Sequence, residues 1–89
     1  MNKFQVKIVT AEGLFFQGEG YMVVVPALDG SFGFLPGHQA SVIALGSGDV
    51  IVSDTDKSDD KSAKRFNVSG GYAQCFGDSV IVLAQEINQ

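Results

Sequence analysis

Apolar and polar residues alternate along most of this chain. In Lys3-Phe4-Gln5-Val6-Lys7-Ile8 the period is two. That predicts a half-buried strand with Phe4, Val6 and Ile8 inward. Each inward side chain is worth ~1.5–3 kcal/mol on leaving water. Thr10-Ala11-Glu12-Gly13 then predicts a turn. Residues 14–20 read as a second strand, in which Gly18 and Gly20 mark a bulge or bend. Residues 21–25 are apolar and β-branched on both faces and stop at Pro26, so they belong where both sides are covered. Residues 42–45 and 50–53 read as short strands around a turn at Gly46-Ser47-Gly48-Asp49. Residues 63–68 put Phe66 and Val68 on one face, Arg65 and Asn67 on the other. Turns at Ser69-Gly70-Gly71 and Gly77-Asp78 lead into strands over 72–76 and 80–84. Residues 38–45 could form a turn or two of helix, but Val42 and Ile43 favour strand. Short strands punctuated this often predict an all-β fold, an antiparallel sandwich or barrel.

Composition narrows the picture. With 89 residues the chain forms one domain, 1–89, with no linker and no repeat. A domain this small buries roughly 60–65% of its unfolded surface. Apolar residues make up 45% of the chain, enough for a packed core. The formal net charge is −4, which argues against nucleic acid or anionic lipid as a direct partner. Lys61, Lys64 and Arg65 form the one basic cluster; two aspartates precede it, and it reads as a solvated strand edge. The single cysteine, Cys75, cannot make an internal disulfide, which fits a reducing compartment. Residues 1–10 alternate instead of forming an apolar block, so they do not resemble a signal peptide. Apolar runs fall far short of the ~20 residues that span a bilayer. A soluble, cytosolic protein is expected.

The candidate chemistry is thin. Residues 53–62 (SDTDKSDDKS) contain no apolar side chain and predict an exposed loop. Asp54, Asp56 and Ser58 have the first spacings of a calcium loop. Asp59 stands where that loop needs glycine, and Arg65 where it needs a bidentate acid. Cys75 and His38 could in principle pair as nucleophile and base. Cys75, however, lies in a strand pattern, where a lone cysteine packs as a small hydrophobe. No glycine loop is followed by the Lys-Ser/Thr of a phosphate cradle. No metal or cofactor is expected, and no catalytic set. The stretch GSFGFLPGH (30–38) holds three glycines, Pro36 and the only histidine. Gly33, Pro36 and Gly37 read as turn residues of a sharp corner, as do Ser69, Gly70 and Gly71 further on. His38 is either a loop histidine held by backbone hydrogen bonds or a contact at a protein interface.

Several segments together carry a family resemblance. They are IVTAEGLF (8–15), FQGE (16–19), VVVP (23–26), GSFGFLPGH (30–38), RFNVSGGY (65–72) and VIVLA (80–84). In this order they resemble the epsilon subunit of F-type ATP synthase. The resemblance implies a flattened sandwich of about ten short antiparallel strands. It also implies a non-catalytic rotor subunit in the central stalk, peripheral on the cytoplasmic side of the inner or plasma membrane. Such a subunit clasps gamma and rests on the c-subunit ring, passing proton-driven rotation to the catalytic head. By resemblance Leu28, Asp29, Gly30, Ser31 and Phe32 face the c-ring, and Thr10, His38 and Ile43 face gamma. Ser31 stands where the family often has an acid. Family members commonly continue into a C-terminal helical hairpin that binds ATP or inhibits rotation. The chain stops at Gln89, soon after Ala84, so neither hairpin, ATP binding nor inhibition is expected. The rival reading is a free-standing sandwich that binds a small ligand, with Tyr21 or Tyr72 as a stacking platform. An enzyme is a more distant third.

Overall fold

The structure, a computed structural model, describes residues 3–34, 40–53 and 63–88. Seven strands lie among them: β1 (Phe4–Thr10), β2 (Gly13–Gly20), β3 (Met22–Ala27), β4 (Gly30–Phe34), β5 (Ser41–Ser53), β6 (Lys64–Phe76) and β7 (Ser79–Ile87). No described residue is helical. The strands form one open sheet in the order β2-β1-β7-β6-β5-β3-β4. The sheet doubles back over its own apolar face. Phe16 of β2 meets Phe66 of β6, three places away in the sheet, with ring centroids 4.8 Å apart. The two layers of a β-sandwich result, as the alternation predicts.

The core follows the expected parity. Phe4, Val6 and Ile8 are buried while Gln5 and Lys7 are exposed. Val23, Val25, Phe34, Val50, Val52, Val68, Val80 and Val82 join them. Val68 is buried and Phe66 packs against the core, while Arg65 and Asn67 point to solvent.

Several sequence expectations need correction. The turn at Gly46-Ser47-Gly48-Asp49 does not exist: β5 runs through it for 13 residues. The turn at Ser69-Gly70-Gly71 is likewise interior to β6. Leu45 faces Gly71 and Ser47 faces Ser69, so the two glycine-rich stretches are held in one antiparallel pairing whose register does not shift. Among the described residues the strands number seven, not about ten, because these segments merge. The third correction concerns direction. β1 and β7 pair in parallel, from Gln5↔Ser79 to Val9↔Leu83. Only strands joined by a tight hairpin must run antiparallel. β1 and β7 are separated by most of the chain, so nothing local dictates their sense.

The merged strands contain a crease. In β5 the inward residues are Ile43 and Leu45, then Val50 and Val52. In β6 they are Cys75 and Ala73, then Val68 and Phe66; in β7, Val80, Val82 and Ala84, then Ile87. Parity changes in all three, between the level of Leu45, Gly71 and Ala84 and the level of Gly48, Val68 and Ile87. Gly71, with φ +114°, sits on that line, and a Cβ there would collide with the Leu83 carbonyl oxygen. Its neighbour Gly70 has φ +73°. Backbone in this region rotates the ribbon and moves inward side chains to the other parity. Across from the crease, Pro26 has no N–H to give to β5, and the β3–β5 register shifts there. Gly48 fits against the Pro26 ring, where a Cβ would come within 2.7 Å.

The described part of GSFGFLPGH, residues 30–34, is strand and not a corner. Its first five residues form β4, paired with β3 from Val23↔Phe34 to Ala27↔Gly30. Gly33 faces Val24 inside this strand and is not a turn residue. The reversal lies earlier, at Leu28 and Asp29, where Gly30 has φ +128°. Pro36, Gly37 and His38 lie outside the described residues, as do Asp54, Asp56 and Ser58.

Candidate docking surface

The outward side of the sheet carries a row of apolar side chains. Cross-strand pairing aligns Leu14 with Val9, Val9 with Leu83, Leu83 with Tyr72, and Tyr72 with Ala44. These five residues come from five adjacent strands, β2, β1, β7, β6 and β5. Each lies at the parity opposite to the core. At ~4.8 Å per strand the row spans roughly 19 Å. Leu28 extends it, because its N–H donates to the Ala44 carbonyl at 3.3 Å. Leu14 is 57% exposed, Tyr72 44% and Leu28 73%. Val42, beside Ala44, and Phe76, further along β6, are also outward and well exposed. Scattered exposed hydrophobes need no explanation, but an aligned row marks a contact surface.

The sequence-derived site residues divide on this surface. Leu28, Asp29, Gly30 and Ser31 are exposed at the β3–β4 turn, as a contact loop requires. Phe32 is not free for a partner. Its ring turns inward, packs on the core and meets Phe34 edge-on at 5.1 Å. Thr10 ends β1 beside Val9, at the far end of the row from Leu28. Its Oγ1 accepts from the Glu12 N–H at 3.2 Å and caps the β1–β2 turn. Ile43 is inward, half-buried against the core opposite Ala73. Its neighbours Val42 and Ala44 carry the exposed face instead. Sequence reasoning missed Leu14, Val9, Leu83, Val42 and Phe76. The available signal was a strand apolar at both parities, such as Val80-Ile81-Val82-Leu83: one parity feeds the core and the other needs a second cover.

The chemistry around this surface is spare. Among the described residues no three His, Cys, Asp or Glu side chains gather in a way that could hold a metal ion. Cys75 is fully buried, and desolvation pushes its thiol pKa up, away from the reactive thiolate. Of the two tyrosines, Tyr72 lies exposed on the outward row and Tyr21, just before β3, is half-buried. An exposed hydrogen-bond chain joins Asn88 Nδ2 to Asn67 Oδ1 and Asn67 Nδ2 to Asp49 Oδ1, both 2.9 Å. It ties the end of β7 across β6 to β5. Among the described residues no helix is long and apolar enough to cross a membrane.

Comparison with known proteins gives these features a context. The ATP synthase delta/epsilon chain β-sandwich domain family matches residues 3–89. An ATP synthase epsilon chain of Chlorobium limicola is 39% identical over 85 residues, covering 96% of this chain and 92% of that one. One from Campylobacter fetus is 40% identical over 83 residues, covering 93% of this chain and 61% of its own length. Two mitochondrial ATP synthase structures share the fold. A chain of the Euglena gracilis OSCP/F1/c-ring assembly aligns with TM-score 0.82 at 18% identity, over 99% of this chain and 54% of that one. A chain of the Tetrahymena thermophila central stalk and c-ring aligns with TM-score 0.76 at 13% identity, over 99% of this chain and 67% of that one. With a family match across nearly its whole length and epsilon chains 39% identical to it over 96% of its residues, the chain belongs to the epsilon-chain family of ATP synthase.

Proposed function

We propose that this chain works as a coupling subunit of the central stalk. Its outward apolar row docks on the gamma subunit, and its exposed Leu28-Asp29-Gly30-Ser31 turn meets the c-ring. Rotation driven by proton flow then passes from ring to gamma and on to the catalytic head. The protein sits peripherally, on the cytoplasmic side of the membrane that holds the ring. The observation that carries this reading is the apolar row crossing five strands, with a protruding turn at one end. Thr10 and Val9 fall within the gamma-facing surface. Ile43 supports it from beneath.

Binding to gamma tests the proposal. The wild-type chain should form a complex with gamma that survives size-exclusion chromatography. Leu83→Asp places a charge at the middle of the row and should weaken that complex by about 2 kcal/mol or more, roughly thirtyfold in Kd. Leu83 is outward, so the thermal midpoint should move little. A folded wild type that ignores gamma, or a Leu83→Asp variant that binds normally, would overturn the assignment. Ser31→Glu restores an acid at the exposed turn and tests the c-ring arm separately.

A further inference from the structure

The two edge strands of this open sheet are not alike. β2 lies at one edge and β4 at the other. An edge invites a further strand unless a bulge, a proline or a charge blunts it. β2 is blunted twice. Ile8 pairs with Phe16 and Val9 with Leu14, which leaves Phe15 as the extra residue of a β-bulge. Glu19 then adds an exposed carboxylate. β4, Gly30-Ser31-Phe32-Gly33-Phe34, has no charge, no proline and no bulge in its pairing with β3.

The register shows which groups this edge offers. Ala27 and Gly30 close the turn as a hydrogen-bonded pair, so Val25↔Phe32 and Val23↔Phe34 are hydrogen-bonded pairs too. Pro26 agrees with this phase, because it stands opposite Ser31, where no N–H is required. The N–H and C=O of Ser31 and Gly33 therefore point away from β3. Among the described residues β4 pairs with β3 alone.

Gly33 points the same way. Its φ is not positive, and a Cβ there would meet only Val24 Cγ2, at an ordinary 3.9 Å. Neither backbone conformation nor internal packing calls for glycine at that place. Glycine inside a strand otherwise marks the close approach of another backbone.

We propose that β4 pairs antiparallel with β4 of a second copy of this chain, about a twofold axis at Phe32. That register sets Ser31 of each copy opposite Gly33 of the other. Each outward N–H then meets an outward C=O across the axis. No charge meets a like charge, and the Ser31 side chain comes down beside a glycine. Phe32 falls opposite itself; its ring, committed to the core, gains a neighbour along the seam without turning. A seam of five residues buries far less than the ~1,000 Å2 of a lasting interface, so the pair is weak and exchanges. Ser31 and Gly33 are not part of the outward row, so the seam does not rest on the docking of gamma.

Sedimentation equilibrium of the isolated chain, from about 20 µM to about 2 mM, tests it. Wild type should pass from monomer towards dimer. Hydrogen exchange at the Ser31 and Gly33 amides should slow as concentration rises, while β2 amides stay as they are. Gly33→Pro removes an N–H that the ladder with β3 does not use, so the variant should fold and stay monomeric. Ser31→Lys puts a charge at an exposed place on the seam and should weaken pairing about tenfold. It decides the matter if the proline variant fails to fold. Gln17→Lys, on the β2 edge, and Leu83→Asp, on the row, should dimerise as wild type does. A wild type that stays monomeric throughout overturns the inference. So does dimerisation untouched by Ser31→Lys or by a folded Gly33→Pro. Loss of the dimer in Leu83→Asp would place self-association on the row and overturn it as well. Binding to gamma is a separate measurement, and its failure would leave this seam standing.

Discussion

Single residues here are constrained by backbone conformation more than by chemistry. Gly71 has positive φ and no room for a Cβ beneath the Leu83 carbonyl. Gly71→Ala should therefore destabilise the fold by about 2–4 kcal/mol, from backbone strain plus a forced shift of β7. Urea denaturation checks this, and a change within experimental scatter would contradict the crease as described. Gly77, also at positive φ but with nothing near its Cβ, should cost less when made alanine. Cys75 gives a second test. Burial raises its pKa, so the unfolded chain releases the thiol proton at lower pH than the folded one. The stability linked to this group is complete below the ordinary thiol value of about 8.5 and declines as pH rises above it. Cys75→Ala should remove that part of the alkaline loss, read from unfolding curves between neutral and alkaline pH. Thiol-reactive dyes should label wild type slowly until denaturant is added.

At the level of elements, the informative contacts join strands that are not neighbours. β2 is an edge strand, and its bulge sends two consecutive phenylalanines to the same partner, Phe66. This cluster pins one layer of the sandwich on the other at the open edge. Phe66→Ala should cost about 2–4 kcal/mol, less than a fully enclosed phenylalanine would, and should loosen β2 first. Hydrogen exchange at β2 amides would show the order of opening; uniform loss of protection across the sheet would argue against a local clasp. The bulge was only partly legible beforehand. Gly18 and Gly20 drew attention to β2, but the extra residue is Phe15, fixed by the pairing of β1 with β2. Strand alternation cannot reveal a bulge until the partner strand supplies the register.

For the whole molecule, the decisive question is which face of the sheet remains bare. Alternation identified the inward residues of β1 correctly because polar residues occupied the other parity. In β7, and in the first half of β5, both parities are apolar, so the sequence alone pointed to burial without saying under what. Folding covers one parity with the opposite layer. The other becomes the outward row, visible only after five strands are placed side by side. Ile43 and Phe32 illustrate the same limit. Both lie in segments that the family resemblance assigns to contacts, yet their side chains turn into the core and their neighbours face outward. The row itself, Leu14, Val9, Leu83, Tyr72, Ala44 and Leu28, carries no charge in a chain of net charge −4.

The sequence by itself determined the all-β class, the inward set of β1, the burial of Cys75 and the family. Each of these depends on local alternation, composition or a run of motif residues. The tertiary structure decided the rest. A glycine pair permits positive φ, which serves a chain reversal and a strand twist equally well. The long-range ladder between β5 and β6 selected the twist, turning four expected strands into two. The parallel seam of β1 with β7, the bulge that sets Phe15 against Phe66 and the outward row all depend on hydrogen bonds between residues far apart in the chain. Their outcome is a property of the assembled sheet.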